Sequence, residues 1–223
     1  YTNYAHAWNL IVYSNSQLGD YQTAMSTATT YSDKMDAAYD NLNFQDLGDI
    51  DYATILFKTE GIGNGISKYL DKTTAFASFA MSKTNPNSNI DKNGMLGSGD
   101  SETGTSVWLG VNAPCPLTPD NAKIGVEWNK GSKYWRSMTY GEDTFAGSKI
   151  ATRGQAWEIY RNQQITKALS FGVSYVIMKY DYTGSNSFFG TDGTPMTMAE
   201  AQQYGQNPVE EARDIRAYMR YKF

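Results

Sequence analysis

Seven charged residues recur at strand spacing: Lys58 and Glu60, Lys123 and Glu127, and Arg216, Arg220 and Lys222. Steps of two or four put the members of each set on one face of a β-strand, because strand side chains alternate sides. Fixed charges of this kind steer ions or pair with one another; they do not make or break bonds. Residues that could do so lack company. The single His6 stands near no recognisable nucleophile motif, so a Ser–His pair is not expected. The single Cys115, in NAPCPL, can form no internal disulfide and has no ligand companions. GIGNGIS (61–67) follows a strand without opening a helix and lacks the Lys-Ser/Thr of a phosphate loop, so it reads as a twisted or bulged strand. IDKNGMLGSGDSE offers Asp91, Asp100 and Glu102 but breaks the EF-hand spacing, and a solvated loop is the better reading. No enzyme, cofactor or metal is expected.

The elements that must position these charges are strands. Aromatic residues make up 14% of the 223 positions and charged residues 19%, with 20 Gly, a composition that suits strands joined by polar loops. Net charge is -4 with no basic patch, which argues against nucleic acid. Alternation marks about eight strands: 4–15, 51–60, 73–83, 105–113, 122–130, 155–163, 168–182 and 212–223. In the fifth, Ala122, Ile124, Val126 and Trp128 oppose Lys123, Gly125, Glu127 and Asn129. In the seventh, Leu169, Phe171, Val173, Tyr175 and Ile177 oppose Ser170, Gly172, Ser174, Val176 and Met178. In the last, Met219, Tyr221 and Phe223 oppose Arg216, Arg220 and Lys222. The sixth resists assignment without a bulge, because Glu158 and Arg161 differ in parity.

The links alternate in length. About 16–50, 84–104, 131–154 and 183–211 are long, while those near KYLDK, PCPLTPDN and ITK are short, the first only if strand two runs on through GIGNGIS. Within the first long link, Ala24, Ala28, Tyr31, Met35, Ala38 and Leu42 share one helical face, but four Thr weigh against a helix there. Long loops at one end, short turns at the other and strands of about ten residues fit an outer-membrane barrel. The fold class expected is therefore all-β: one antiparallel transmembrane β-barrel region over 1–223. Mean hydropathy of -0.54 is no objection, because an alternating strand never scores as hydrophobic. YTNYAHAWNL has neither the basic start nor the apolar core of a signal peptide, so the chain reads as mature or as a fragment.

AKIGVEWNKGSKYW, GSKIATRGQAWEIY, SYVIMKYDYTGS and the terminal RAYMRYKF resemble a bacterial outer-membrane family catalogued as domain of unknown function 3373. The resemblance covers about the last half of the chain. It implies a Gram-negative outer-membrane barrel without assigned activity, of which these residues form the C-terminal part. Val126, Trp128, Phe171, Val173, Tyr175 and Met219 are then expected to face lipid, and Lys58, Glu60, Lys123, Glu127, Arg216, Arg220 and Lys222 to line the lumen. Tyr221 and Phe223 are expected to carry the signal read by the barrel-assembly machinery. Expected partners are outer-membrane lipid, lipopolysaccharide, that machinery and a second copy of the chain. The function expected is a porin-like passive diffusion channel for small polar or anionic solutes. The alternative is a small closed structural or adhesive barrel with a salt-bridged lumen.

Overall fold

The computed structural model describes residues 48–87, 99–137, 146–185 and 194–223. They form β1 (Gly48–Glu60), β2 (Thr74–Pro86), β3 (Thr103–Pro114), β4 (Ala122–Gly131), β5 (Gly154–Gln164), β6 (Leu169–Tyr180) and β7 (Glu211–Tyr221). Each strand pairs antiparallel with its sequence neighbours in one sheet, β1 to β7 in order. Among the described residues β1 and β7 are not paired with each other, so the sheet is not closed. The seven strands coincide with the last seven expected from alternation. The expected strand at 4–15, the expected helix near 24–42, His6 and Asp91 lie outside the described residues. No described helix is long and apolar enough to cross a membrane, which says nothing about strands.

Register defines one row of partners after another across each face. One row of cross-strand partners runs Ile55, Phe79, Val107, Lys130, Gln155, Lys179, Glu211. The row on the opposite face runs Glu60, Thr74, Asn112, Gly125, Tyr160, Ser174, Arg216. Ile55 is mid-strand in β1, whereas Glu211 begins β7; Glu60 ends β1, whereas Arg216 is mid-strand in β7. The strands therefore slide past one another by about one residue per step. With about 3.3 Å per residue and 4.8 Å between strands, that stagger corresponds to a tilt of about 35°.

The short connections are closed by their own backbone. In 165–168, Ile165 and Thr166 donate to the Leu169 carbonyl at 2.9 and 3.1 Å, and the Thr166 hydroxyl accepts from Leu169 N–H at 3.0 Å. In 115–121, Cys115 N–H donates to Ala122 O at 2.8 Å. The third, 61–73, corrects the sequence reading. GIGNGIS does not prolong the strand: Gly61, Asn64 and Gly65 adopt positive φ, and Ser67 caps α1 (Lys68–Asp71) through Tyr69 N–H. Glycine and asparagine tolerate that backbone region where other side chains do not, so the stretch turns and opens one helical turn.

The long links all lie at the other end of the sheet: 87–102, 132–153 and 181–210. The last carries α2 (Met198–Gln203), whose start is a capping box. Glu200 N–H donates to Thr197 Oγ1 at 3.2 Å, while Thr197 N–H donates to the Glu200 carboxylate at 2.8 Å. The Thr197 hydroxyl also donates to that carboxylate, at 2.9 Å, and with the Thr197 N–H it holds the Glu200 carboxyl below its usual range.

Candidate functional site

The two faces of the sheet differ in composition and in exposure. Even-numbered residues of β1–β3 and β5–β7 and odd-numbered residues of β4 share a polar face. On it Ser82, Thr84, Ser106, Asn129 and Ser174 are buried, and so, near the long links, are Ala156, Val176 and Met178. The other face carries Phe79, Leu109, Val111, Val126, Trp157, Ile159, Phe171, Val173 and Met219, all exposed. An exposed apolar surface extending over several strands is an arrangement water disfavours.

The polar face is covered partly by its own rings. Tyr160 of β5 lies across Gly125 of β4, and its hydroxyl accepts from Asn112 Nδ2 of β3 at 3.1 Å. Tyr218 of β7 repeats the motif across Gly172 of β6, donating to Asn162 Oδ1 of β5 at 2.7 Å. Phe76 of β2 lies against Gly110 of β3 and meets Trp108 edge-on at 4.9 Å. Each glycine is the direct cross-strand partner of its ring. A Cβ at any of the three would collide with that ring, so glycine is what lets the aromatics lie along the wall.

Above this belt, towards the long links, sits the most densely charged cluster. Glu127 and Glu158 are direct cross-strand partners, an arrangement that repels unless a cation stands between. Lys149 supplies it from a single 3-10 turn, Lys149–Ala151, in the link between β4 and β5. Its Nζ lies 2.6 Å from Glu127 Oε2, also bonds Glu158 Oε2, and stands 5.4 Å from the Trp108 ring centroid. Trp108 Nε1 donates to Glu127 Oε2 at 3.0 Å. The three charged side chains are 11–17% exposed. Burial pulls the Lys149 ammonium towards deprotonation, but hydrogen bonds and charge from both carboxylates outweigh it and hold its pKa above the ordinary lysine value.

The seven charges named from sequence divide into groups. Lys58, Glu60, Lys123, Glu127, Arg216 and Arg220 share the polar face by register, and Lys222 follows β7, its N–H donating to Ala168 O at 2.8 Å. Lys58 pairs along its own strand with Glu60 at 2.5 Å. Arg216 pairs likewise with Asp214. Arg220 stands 5.9 Å from the Tyr218 ring centroid. Glu127 belongs to the Lys149 cluster, and Lys123 is exposed at the short-turn end. Among the expected lipid-facing residues, Val126, Phe171, Val173 and Met219 are exposed on the apolar face, with Trp128 and Tyr175 half-buried beside them. Tyr221 and Phe223 are exposed and meet edge-on at 5.3 Å.

β5 needs no bulge. Its eleven residues pair continuously with β6, so Glu158 faces the polar side and Arg161 the apolar side. Arg161 sits at the short-turn end and donates to Gln163 Oε1 at 2.7 Å and Thr118 Oγ1 at 3.1 Å. A long cationic side chain can reach the polar border this way while its stem lies on apolar surface. Lys149 had no sequence signal, because a lysine inside a long link belongs to no periodicity. Among the described residues no group of three or more His, Cys, Asp or Glu could hold a metal ion.

The family described as "Protein of unknown function (DUF3373)" matches residues 1–223. No curated protein and no solved structure matches the chain.

Proposed function

The chain belongs to that family, and we propose that its sheet is part of an outer-membrane β-barrel acting as a porin-like passive diffusion channel for small polar or anionic solutes. The observation that carries this is the exposed apolar surface: apolar side chains stand exposed on one face of all seven strands, while the other face buries Ser82, Ser106, Asn129 and Ser174 beside Val176 and Met178. A bilayer satisfies the first face and an aqueous lumen the second. On β6 the apolar face runs from Leu169 to Ile177, which at a tilt of about 35° spans about 22 Å, close to the 25 Å band of such barrels. That tilt itself falls within the 35–45° they use. Links are shorter at one end of the sheet (165–168, 115–121 and 61–73) than at the other (87–102, 132–153 and 181–210), a third support that is weakest for 61–73 because the strand does not run on through GIGNGIS.

In this reading acyl chains and lipopolysaccharide contact the apolar face, the assembly machinery reads Tyr221 and Phe223, and a second copy is a candidate neighbour. Enzymatic activity is not part of the proposal. An open lumen is favoured over a plugged one because Lys58–Glu60 and Asp214–Arg216 pair along single strands. Such pairs lie on the wall and do not cross the interior. The Lys149 bridge to two strands favours the alternative, a closed barrel with a salt-bridged interior, since it ties a loop into the polar face.

Planar-bilayer recording of the full-length protein separates the two. The channel reading expects reproducible unit conductance steps; silence at high protein loading, with assembled barrels present, contradicts it.

A further inference from the structure

Between β4 and β5 the described parts of the link, 132–137 and 146–153, lie on the polar face. Arg136 N–H donates to Ser82 Oγ of β2 at 3.2 Å. A Cβ at Gly104 of β3 would collide with Tyr134 and Trp135, and one at Gly131 of β4 with Trp135 and the Thr152 carbonyl. Trp135 Nε1 donates to Ile150 O at 2.8 Å, tying one half of the link to the other. Asn129 Nδ2 of β4 donates to Lys149 O at 2.8 Å. Ala146 packs with Ala156 of β5 and with Val176 and Met178 of β6. The footprint extends from β2 to β6.

The geometry points to the two described parts of this link, 132–137 and 146–153, as a fixed constriction of the channel, with Lys149 as its specificity-determining residue; this rests on the channel reading above. A segment lying across the polar faces of five strands takes cross-section from whatever passes along them. Its fastening is polar where it matters most. Glu127 and Glu158 oppose each other directly and repel, and Lys149 converts that repulsion into attraction for the link. The cluster of two carboxylates and one ammonium keeps a single net negative charge. Without the ammonium the same point on the wall carries two, and passing cations take the place of Lys149.

The test records full-length protein in planar bilayers as wild type, Lys149→Ala and Lys149→Arg. Lys149→Ala is expected to raise unit conductance by about twofold or more and to move the reversal potential towards cation permeation; Lys149→Arg, which keeps charge and reach, is expected to behave as wild type. An assembled Lys149→Ala channel with wild-type conductance and selectivity would overturn the inference and leave the channel reading intact. A silent wild type overturns the channel reading itself. Should Lys149→Ala fail to assemble, Lys149→Ala with Glu158→Gln removes the repelling pair. Raised conductance in that variant supports the constriction, and unchanged conductance contradicts it.

Discussion

Tyr160 lies across Gly125, its direct partner on the neighbouring strand, and there is no room for a methyl group between them. Tyr218 and Gly172 repeat the relationship two strands on. Gly125→Ala and Gly172→Ala should each cost about 1–3 kcal/mol, because a packed ring must shift to admit the Cβ. Gly99→Ala, where a Cβ meets nothing within 4 Å, is the control and should be near neutral. Urea unfolding from detergent micelles measures the difference; equal midpoints for the three variants would show that the rings are not held there.

Thr54 and Ile55 are adjacent on β1, both exposed, and face opposite sides. If the apolar face meets hydrocarbon, Ile55→Arg near the midplane should destabilise by about 2–4 kcal/mol. Thr54→Arg, facing water, should have little effect. Folding into liposomes compares them directly, and similar costs at both positions would contradict the face assignment.

Arg216 and Arg220 occupy one face of β7 but are not equivalent. Asp214 takes up the charge of Arg216, whereas Arg220 rests against the Tyr218 ring. Arg220→Gln should therefore shift selectivity towards cations more than Arg216→Gln does. The difference should shrink in high salt, as screening shortens below the Debye length of about 8–10 Å. Reversal potentials in a salt gradient report it, and a larger effect at Arg216 would mean that the in-strand pair does not neutralise it.

Lys149→Ala strands two facing carboxylates and should cost about 2–4 kcal/mol, near the lower end for a broken buried pair. The pH dependence follows from the raised pKa of Lys149 in its link. A cation with a raised folded pKa contributes its full stability below the ordinary lysine value, and loses it as pH climbs through the folded one. The contribution should hold through neutral and mildly alkaline pH and disappear only above the lysine range. Loss of the Lys149-dependent stability already near neutral pH would show that the ammonium is not held by the pair.

The strands were legible because several carry one coherent apolar face, as Val126 and Trp128 opposite Glu127 and Asn129 illustrate. Where the pattern stalled, at Glu158 and Arg161, the cause was a cation at the polar border of an apolar face, which parity alone misreads as a register break. GIGNGIS was misassigned because glycines fit both a twisted strand and a positive-φ turn; the Ser67 cap was the signal for the turn. Thr197 and Glu200, three apart, would have announced α2 in the same way. Lys149 could not have been found, since its role comes from the link lying back on the sheet. One of the three charged residues of the cluster, Glu127, was named as a lumen residue from sequence, and its pairing with Glu158 and Lys149 emerged only from register and loop placement.

The central claim is that the exposed apolar face of the sheet lies in a bilayer. It is tested most directly by nitroxide labels placed singly at Leu109, Val126, Val173 and Ile215 on that face, and at Trp108, Asn129 and Ser174 on the other, in protein folded into liposomes. Oxygen dissolved in the bilayer should collide freely with labels at the first four positions, and a water-soluble nickel reagent should not. At the other three, oxygen access should be low. Water-soluble reagent reaching Val126 and Val173 as readily as bilayer oxygen does would contradict the account.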